Sequence, residues 1–352
     1  MNLQSPDIKN LMELHINKYL ENYNVFSLKE ISIGPFITNK IKLYCYNPAI
    51  ILKDNKMIGL IRTGSYISTC FENNKFNEKD FKNSEMINIL SQYLDSGSTY
   101  DLLLYWELDN ISNYKLIDNF KYINKYKGKN NGFQDCRLFN LNNKIWCYGH
   151  YTGKLNDIFV VNPVIFNLNE PNNIIYLKIE NMGNREKNWM PFEYNNELYF
   201  IYSITPHIIL KCDIKNGFCS KIYETDNIKN KIIYNHIKDL TNLKYIGSNV
   251  PPVLIKINDN NYYLGIGHVS QDWPNKAIRK SFFYIFTCHP PFEIVMYGKP
   301  FDILTDYYAP VEFICGLIIK DNVVTCSVGI NDTYSILCDF NLNEILKTLT
   351  KI

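Results

Sequence analysis

The stretch Gly132-Phe-Gln-Asp-Cys-Arg-Leu-Phe139 sets a carboxylate, Asp135, two residues from a guanidinium, Arg137, at the head of an apolar run. Comparable polar positions recur around other apolar runs. Asn47, Lys187, Asn188 and Glu312 stand before such runs, and Arg62, Tyr202, His268 and Asp332 stand after them. One carboxylate among several cations suits a particular chemistry. Inverting cleavage of a glycosidic bond needs an acid on the leaving oxygen and a nucleophile on the opposite face of the sugar ring. If phosphate is that nucleophile, a second catalytic carboxylate is unnecessary and a cationic cradle is needed instead. Arg62, Arg137, Lys187 and His268 could form it, arginine as a fork and lysine as a point charge. Asp135 would then be the proton donor, directly or through a substrate hydroxyl. Taken singly, each residue has a plainer role. An Asp-x-Arg pair often holds a loop, a lone lysine is a solvated charge, and His268 after Gly267 caps a strand. Recurrence at one place in successive units is what singles them out.

The elements that must position these residues are β-hairpins. Two β-rich runs flank Asp54-Asn55 between Asn47 and Gly64. The same shape returns around Asn142-Asn143, Asn195-Asn196, Asn258-Asp259 and Asp321-Asn322. Each is an Asn/Asp turn between apolar strands, the short-range signal of a hairpin. Each is followed by a further β pair, such as Ile208–Asp213 with Ser220–Tyr223 and Phe282–Thr287 with Phe292–Met296. Five units of about four strands predict an all-β fold, a five-bladed β-propeller, because radial repetition protects sheet edges. A β-sandwich or two separate β-domains is the alternative. In a propeller the first strand of each blade lines the channel, so the polar residues at the hairpin ends converge on one mouth. That set also includes Asn249, His150 with Tyr151, and Asn331. Residues 7–24 and 78–96 carry helical periodicity. The expected organisation is an N-terminal helical extension over 1–35 and a catalytic propeller over 36–352, with a helical insertion in the first blade.

Composition narrows the partners. Among 352 residues the net charge is +2, so no global field favours nucleic acid or an anionic membrane. No run of about 18 uninterrupted apolar residues marks a membrane helix. Ten cysteines, none in a C-x-x-C pair, read as buried thiols of a reducing compartment, so a cytoplasmic location is expected. No zinc or calcium motif, P-loop or dinucleotide-binding glycine pattern is present, so no metal or cofactor is expected. Oligomerisation stays open.

Phe133-Gln-Asp135-Cys-Arg137 resembles the Glu-Asp-Pro-Arg signature of glycoside hydrolase family 130, the mannoside phosphorylases. The related mannosyltransferases of glycosyltransferase family 108 share that fold. Glu186-Lys187-Asn188-Trp189, Gly247-Ser-Asn-Val-Pro251-Pro252 with Gly265-Ile-Gly-His268, and Gly329-Ile-Asn331-Asp332 resemble further family motifs in the same order. The resemblance covers roughly residues 40 to 345. It implies a five-bladed propeller acting on β-mannosidic or similar sugars with inversion, Asp135 being the proton donor. It sets Arg62, Arg137, Lys187 and His268 near phosphate, and Asn47 and Asp332 on the donor sugar. Donors would be mannose 1-phosphate or a nucleotide sugar, with an oligosaccharide acceptor and inorganic phosphate. Gln134 and Cys136 replace the family's Glu and Pro, and the third-blade phosphate arginine has only Arg185 as a loose match. Two other functions remain: a hydrolase with Glu312 or Asp332 as base to water, and a non-catalytic carbohydrate-binding propeller.

Overall fold

The computed structural model describes residues 25–30, 36–37, 42–64, 102–107, 110–117, 132–155, 158–171, 173–225, 227–241, 243–273, 276–303, 312–330 and 334–352. The helical segments expected over 7–24 and 78–96, and the candidate residues Asn331 and Asp332, lie outside the described residues.

Alternation of apolar and polar residues around Asn/Asp pairs builds five antiparallel hairpins. They are β3 (Lys42–Lys53) with β4 (Lys56–Gly64), β7 (Gly132–Leu141) with β8 (Lys144–Leu155), and β11 (Met190–Tyr194) with β12 (Glu197–Ile204). The others are β16 (Val253–Ile257) with β17 (Asn260–Trp273), and β20 (Glu312–Lys320) with β21 (Val323–Ile330). Every loop is two residues long, and both loop residues have φ between 47° and 66°. A two-residue loop whose backbone matches the twist of its strands needs positive φ twice. Asn and Asp tolerate that region better than other residues with a Cβ. The five turn pairs read from the sequence are therefore the residues that the geometry selects.

Each hairpin grows into its own sheet. β5 (Leu102–Glu107) and β6 (Asn110–Ile117) extend the first, with β2 (Phe36–Ile37) on its other edge. β9 (Ile158–Asn167) and β10 (Ile175–Tyr176) extend the second, and β13 (His207–Asp213) and β14 (Phe218–Glu224) the third. The fourth gains β15 (Leu243–Ser248), β18 (Lys276–Thr287), β19 (Ile294–Tyr297) and the C-terminal β23 (Thr350–Lys351). The fifth gains β22 (Tyr334–Asn341) and β1 (Val25–Glu30).

Strand β1 falls within the stretch expected as the N-terminal extension over 1–35. Val25–Glu30 pairs antiparallel with β22, so this stretch belongs to the last sheet. It satisfies the backbone groups that β22 would otherwise leave open at a sheet edge.

Apolar side chains fill the spaces between neighbouring sheets. Ala49, Leu60, Leu138 and Val164 join the first sheet to the second. Phe139, Tyr148, Trp189, Phe200, Phe282 and Tyr284 run from the second through the third to the fourth. Phe283, Ile285, Ile314, Val328 and Phe340 join the fourth to the fifth. β20 and β21 pack back on β3, so the fifth sheet meets the first. The result is an all-β, propeller-like arrangement with each sheet packed on the next.

Two described helices were not anticipated. One, Asn227–Thr241, sits between β14 and β15 and buries Ile233 and Ile237, four residues apart on one face. Its Asn and β-branched Ile residues are weak helix formers, which hid the spacing. The other, Leu342–Thr348, is capped by the Asn341 side chain, which accepts from the backbone N–H groups of Asn343 and Glu344. No described helix is long and apolar enough to cross a membrane. Eight cysteines, from Cys136 to Cys338, are free thiols, all buried except the half-buried Cys288.

Candidate active site

The first strands of the sheets break register at one level. In β3 the slip falls between Tyr46 and Ala49, and in β7 between Gln134 and Arg137. Asn47 and Asp135 occupy these bulges with φ of 50° and 51°. Asn188, just before β11, has φ 63°, and Asn249 fills the break between β15 and β16. A bulge inserts a residue and re-aims its side chain. Four consecutive sheets thus present a short Asx side chain where their first strands are interrupted.

Asp135 is the focus of this level. Asn47 Nδ2 donates to Asp135 Oδ1 at 2.9 Å, and Arg62 Nη1 donates to the same oxygen at 3.1 Å. His150 Nε2 lies 3.9 Å from Oδ2. The Asp135 side chain keeps 23% exposure, so one face of the carboxylate opens outward. Burial alone would raise its pKa. The neighbouring Arg62, then His150 and Arg137, and the Asn47 hydrogen bond outweigh burial and hold it well below the usual carboxylate range. Asp135 is therefore ionised in the free site. Burial, with Arg62, Lys187 and Arg137 nearby, depresses His150 to about 4 against the pull of Asp135, so it is neutral at physiological pH.

Asn47 is held from the last sheet. A Cβ added at Gly329 would lie 2.1 Å from Asn47 Oδ1 and 2.7 Å from its backbone nitrogen. Only hydrogen fits there. Gly329→Ala is expected to push Asn47 off Asp135 and, under the function proposed below, to lower turnover by about tenfold or more, while altering the unfolding midpoint far less. Steady-state kinetics beside urea unfolding would check this.

A cationic group flanks the carboxylate. Arg137 is fully buried. Its Nε donates to Asn249 O at 2.6 Å and its Nη1 to Cys136 O at 2.8 Å, while Nη2 has no hydrogen-bond partner among the described residues. His268 Nδ1 lies 2.5 Å from Asn249 Oδ1. A Cβ on Gly247 would lie 2.7 Å from the His268 ring, so glycine is needed there too. Burial, then Arg279, Lys187 and Arg137, keep His268 well below its ordinary pKa. Lys187 is also lowered, by burial and by Arg279 and Arg185, against the opposing pull of Asp135. Lys187, Arg137 and Arg279 have no carboxylate within ion-pair distance among the described residues. Like charges gathered without a counter-ion repel, and a bound anion relieves that repulsion.

The Lys187 segment is fixed by backbone pairing. Val161 N–H donates to Asn184 O and Glu186 N–H donates to Val161 O. Trp189 is buried, its backbone N–H donates to Tyr148 Oη at 2.9 Å, and its indole N–H donates to Glu186 Oε2 at 3.3 Å. Tyr202 stacks edge-on against Trp189 at 5.3 Å and its hydroxyl lies 3.5 Å from Glu186 Oε1. Tyr245, half-exposed beside this wall, hydrogen-bonds Asn188.

Asn47, Arg62, Asp135, Arg137, His150, Lys187 and His268 thus form one electrostatic group, with Asn188 and Tyr202 on the adjoining wall. Glu312 stands apart in role. It is buried and accepts from Ile303 N–H at 2.6 Å, which anchors a loop. Arg279 was missed by sequence reasoning. It lies on β18, which begins six residues before Phe282, where the apolar run had suggested a strand start.

No protein-family model matches the chain. A curated relative, beta-mannosyltransferase 3 of Candida albicans, is 39% identical over 102 residues, which are 28% of this chain. The chain matches only 18% of that protein's length. Among solved structures, a beta-1,2-mannobiose phosphorylase from Listeria innocua, in complex with beta-1,2-mannobiose, is similar at TM-score 0.53 and 13% identity. That likeness covers 91% of this chain and 96% of the other. A mannose phosphorylase from Leishmania mexicana, in complex with a phosphate ion, is similar at TM-score 0.53 and 12% identity, covering 97% and 96%. A glycoside hydrolase of the GH130 family of mannoside phosphorylases, which targets beta-1,2 mannosidic linkages in Candida mannan, gives TM-score 0.52 and 11% identity over 90% and 94%. These are likenesses of fold, and they agree with the family that the sequence motifs resemble.

Proposed function

We propose that this chain is an enzyme of mannoside metabolism that transfers a mannosyl-type sugar with inversion between phosphate and an acceptor hydroxyl. One observation carries the proposal: a carboxylate in a net of donors beside three cations that lack a carboxylate partner among the described residues. The five packed sheets are read as the blades of a five-bladed propeller, with this group at its mouth.

In the transfer direction the acceptor oxygen attacks the anomeric carbon as the bond from that carbon to the phosphate oxygen breaks. Asp135, ionised in the free site, takes the acceptor proton, directly or through a substrate hydroxyl. The leaving phosphate is held by Arg137, Lys187, Arg279 and His268, arginine offering paired donors. In the reverse direction phosphate attacks and a protonated Asp135 gives its proton to the leaving oxygen. A bound phosphate offsets the positive field that keeps Asp135 ionised. Its proton affinity therefore rises when acid is required. Asn47 and Asp332 are assigned to the donor sugar, and Asn188 and Tyr202 to the wall of the sugar site. Glu312 is assigned to the rim of that site through the loop it anchors. A hydrolytic base at Glu312 is less well supported, because that carboxylate already accepts a backbone N–H.

Phosphorus NMR of the protein with a β-mannobiose and inorganic phosphate tests the proposal. The expected product is α-mannose 1-phosphate. Free mannose without any sugar phosphate would contradict it and favour hydrolysis.

A further inference from the structure

Phe313, on β20, has no place in the steps above, yet the cationic group is built around it. Its ring is buried. The Arg137 guanidinium carbon lies 5.2 Å from the ring centroid and that of Arg279 lies 5.3 Å from it. The His268 ring meets the same ring at 5.2 Å and 63°. The two arginines come from different sheets, and neither has a carboxylate within ion-pair distance among the described residues. Both guanidiniums are within reach of one aromatic quadrupole, so they are no further apart than the sum of the two distances.

The choice of residue has a physical consequence. A carboxylate at this place would hold both arginines, but it would neutralise them and occupy their N–H donors. An aromatic ring attracts a guanidinium through its quadrupole and accepts no strong hydrogen bond in the guanidinium plane. The donors not already given to backbone carbonyls stay available for a ligand. Arg137 Nη2, buried and without a hydrogen-bond partner among the described residues, is such a donor.

We propose that Phe313 is the positioning residue of the anion site, holding Arg137 and Arg279 charged, spaced and unneutralised for a phosphate or sugar-phosphate ligand. This rests on the anion reading given under the proposed function. Phe313 touches neither the sugar nor the reacting atoms. Its effect is on anion affinity, not on the proton step at Asp135.

The test separates the ring's electrons from its shape. The chain has 20 phenylalanines, so fluorinated residues are introduced at 313 alone by codon suppression. One, two and three ring fluorines progressively weaken the quadrupole while nearly preserving size. Inorganic phosphate binding is read by titration calorimetry on each protein, with Lys187→Ala as a control for the site itself. Phosphate affinity is expected to fall stepwise, on the order of tenfold from phenylalanine to the trifluoro residue. Phe313→Leu is expected to raise KM for phosphate about as much, with kcat changed less than about threefold. A flat fluorine series, with wild type binding phosphate and Lys187→Ala not, would overturn the role of Phe313 and leave the anion site standing. If wild type binds neither phosphate nor α-mannose 1-phosphate, the anion site itself falls and this role falls with it.

Discussion

Asp135→Asn is expected to lower turnover by about 10²–10⁴-fold, the range for loss of a positioned acid–base group. The amide keeps the size of the carboxylate and an oxygen to accept from Asn47 and Arg62, so the bulge at the head of β7 should persist. What it cannot do is exchange a proton at neutral pH. The same change removes the negative charge closest to the cationic group. Inorganic phosphate should therefore bind as tightly as to wild type or more so. Loss of turnover with retained phosphate binding distinguishes a lost proton step from a collapsed site. Calorimetry and initial rates on one preparation give both numbers.

Acid sensitivity well above the carboxylate range is the second large effect. His150 and His207 are both pushed down to about 4, chiefly by burial, and His268 is well below its ordinary value for the same reason. In the unfolded chain these imidazoles take up protons near pH 6.5, whereas the native protein takes them up only near pH 4 or below. Between those values the unfolded state binds more protons, so stability rises with pH and is lost as pH falls. Each of His150 and His207 contributes a loss of about 3 kcal/mol across the window. Asp135 works in the opposite sense. Its stabilisation is present above the usual carboxylate value and lost only below it, so it does not act between pH 6.5 and 4. Urea midpoints at about pH 7.5, 6 and 5 should fall steeply. His207 lies in the third sheet against Phe286, away from the Asp135 group, so His207→Gln should flatten the slope without moving the pH profile of turnover. A pH-independent midpoint would contradict the burial of neutral histidines.

The parts of the fold legible in the sequence are those set by local geometry. Five Asn/Asp pairs mark the hairpins because two successive positive φ values leave few other choices. Asp135 was singled out because polar residues recur at the ends of successive apolar runs. Pairing between distant segments was not legible. Nothing in Val25–Glu30 tells that it completes a sheet with β22, some three hundred residues on. Arg279 was hidden because β18 starts upstream of its apolar run. The place of Phe313 between Arg137, Arg279 and His268 exists only after three sheets pack together. Glu312, read as a possible base, turned out to bond a backbone N–H that the sequence gives no means of locating.

Phosphate release from α-mannose 1-phosphate, measured with a panel of mono- and oligosaccharide acceptors, tests the central claim most directly. Wild type, Asp135→Asn and Lys187→Ala would be run together. The account predicts release that depends on an acceptor, vanishes in Asp135→Asn and needs far more sugar phosphate in Lys187→Ala. Acceptor-dependent release that survives unchanged in Asp135→Asn, or no release by wild type with any acceptor, would contradict it.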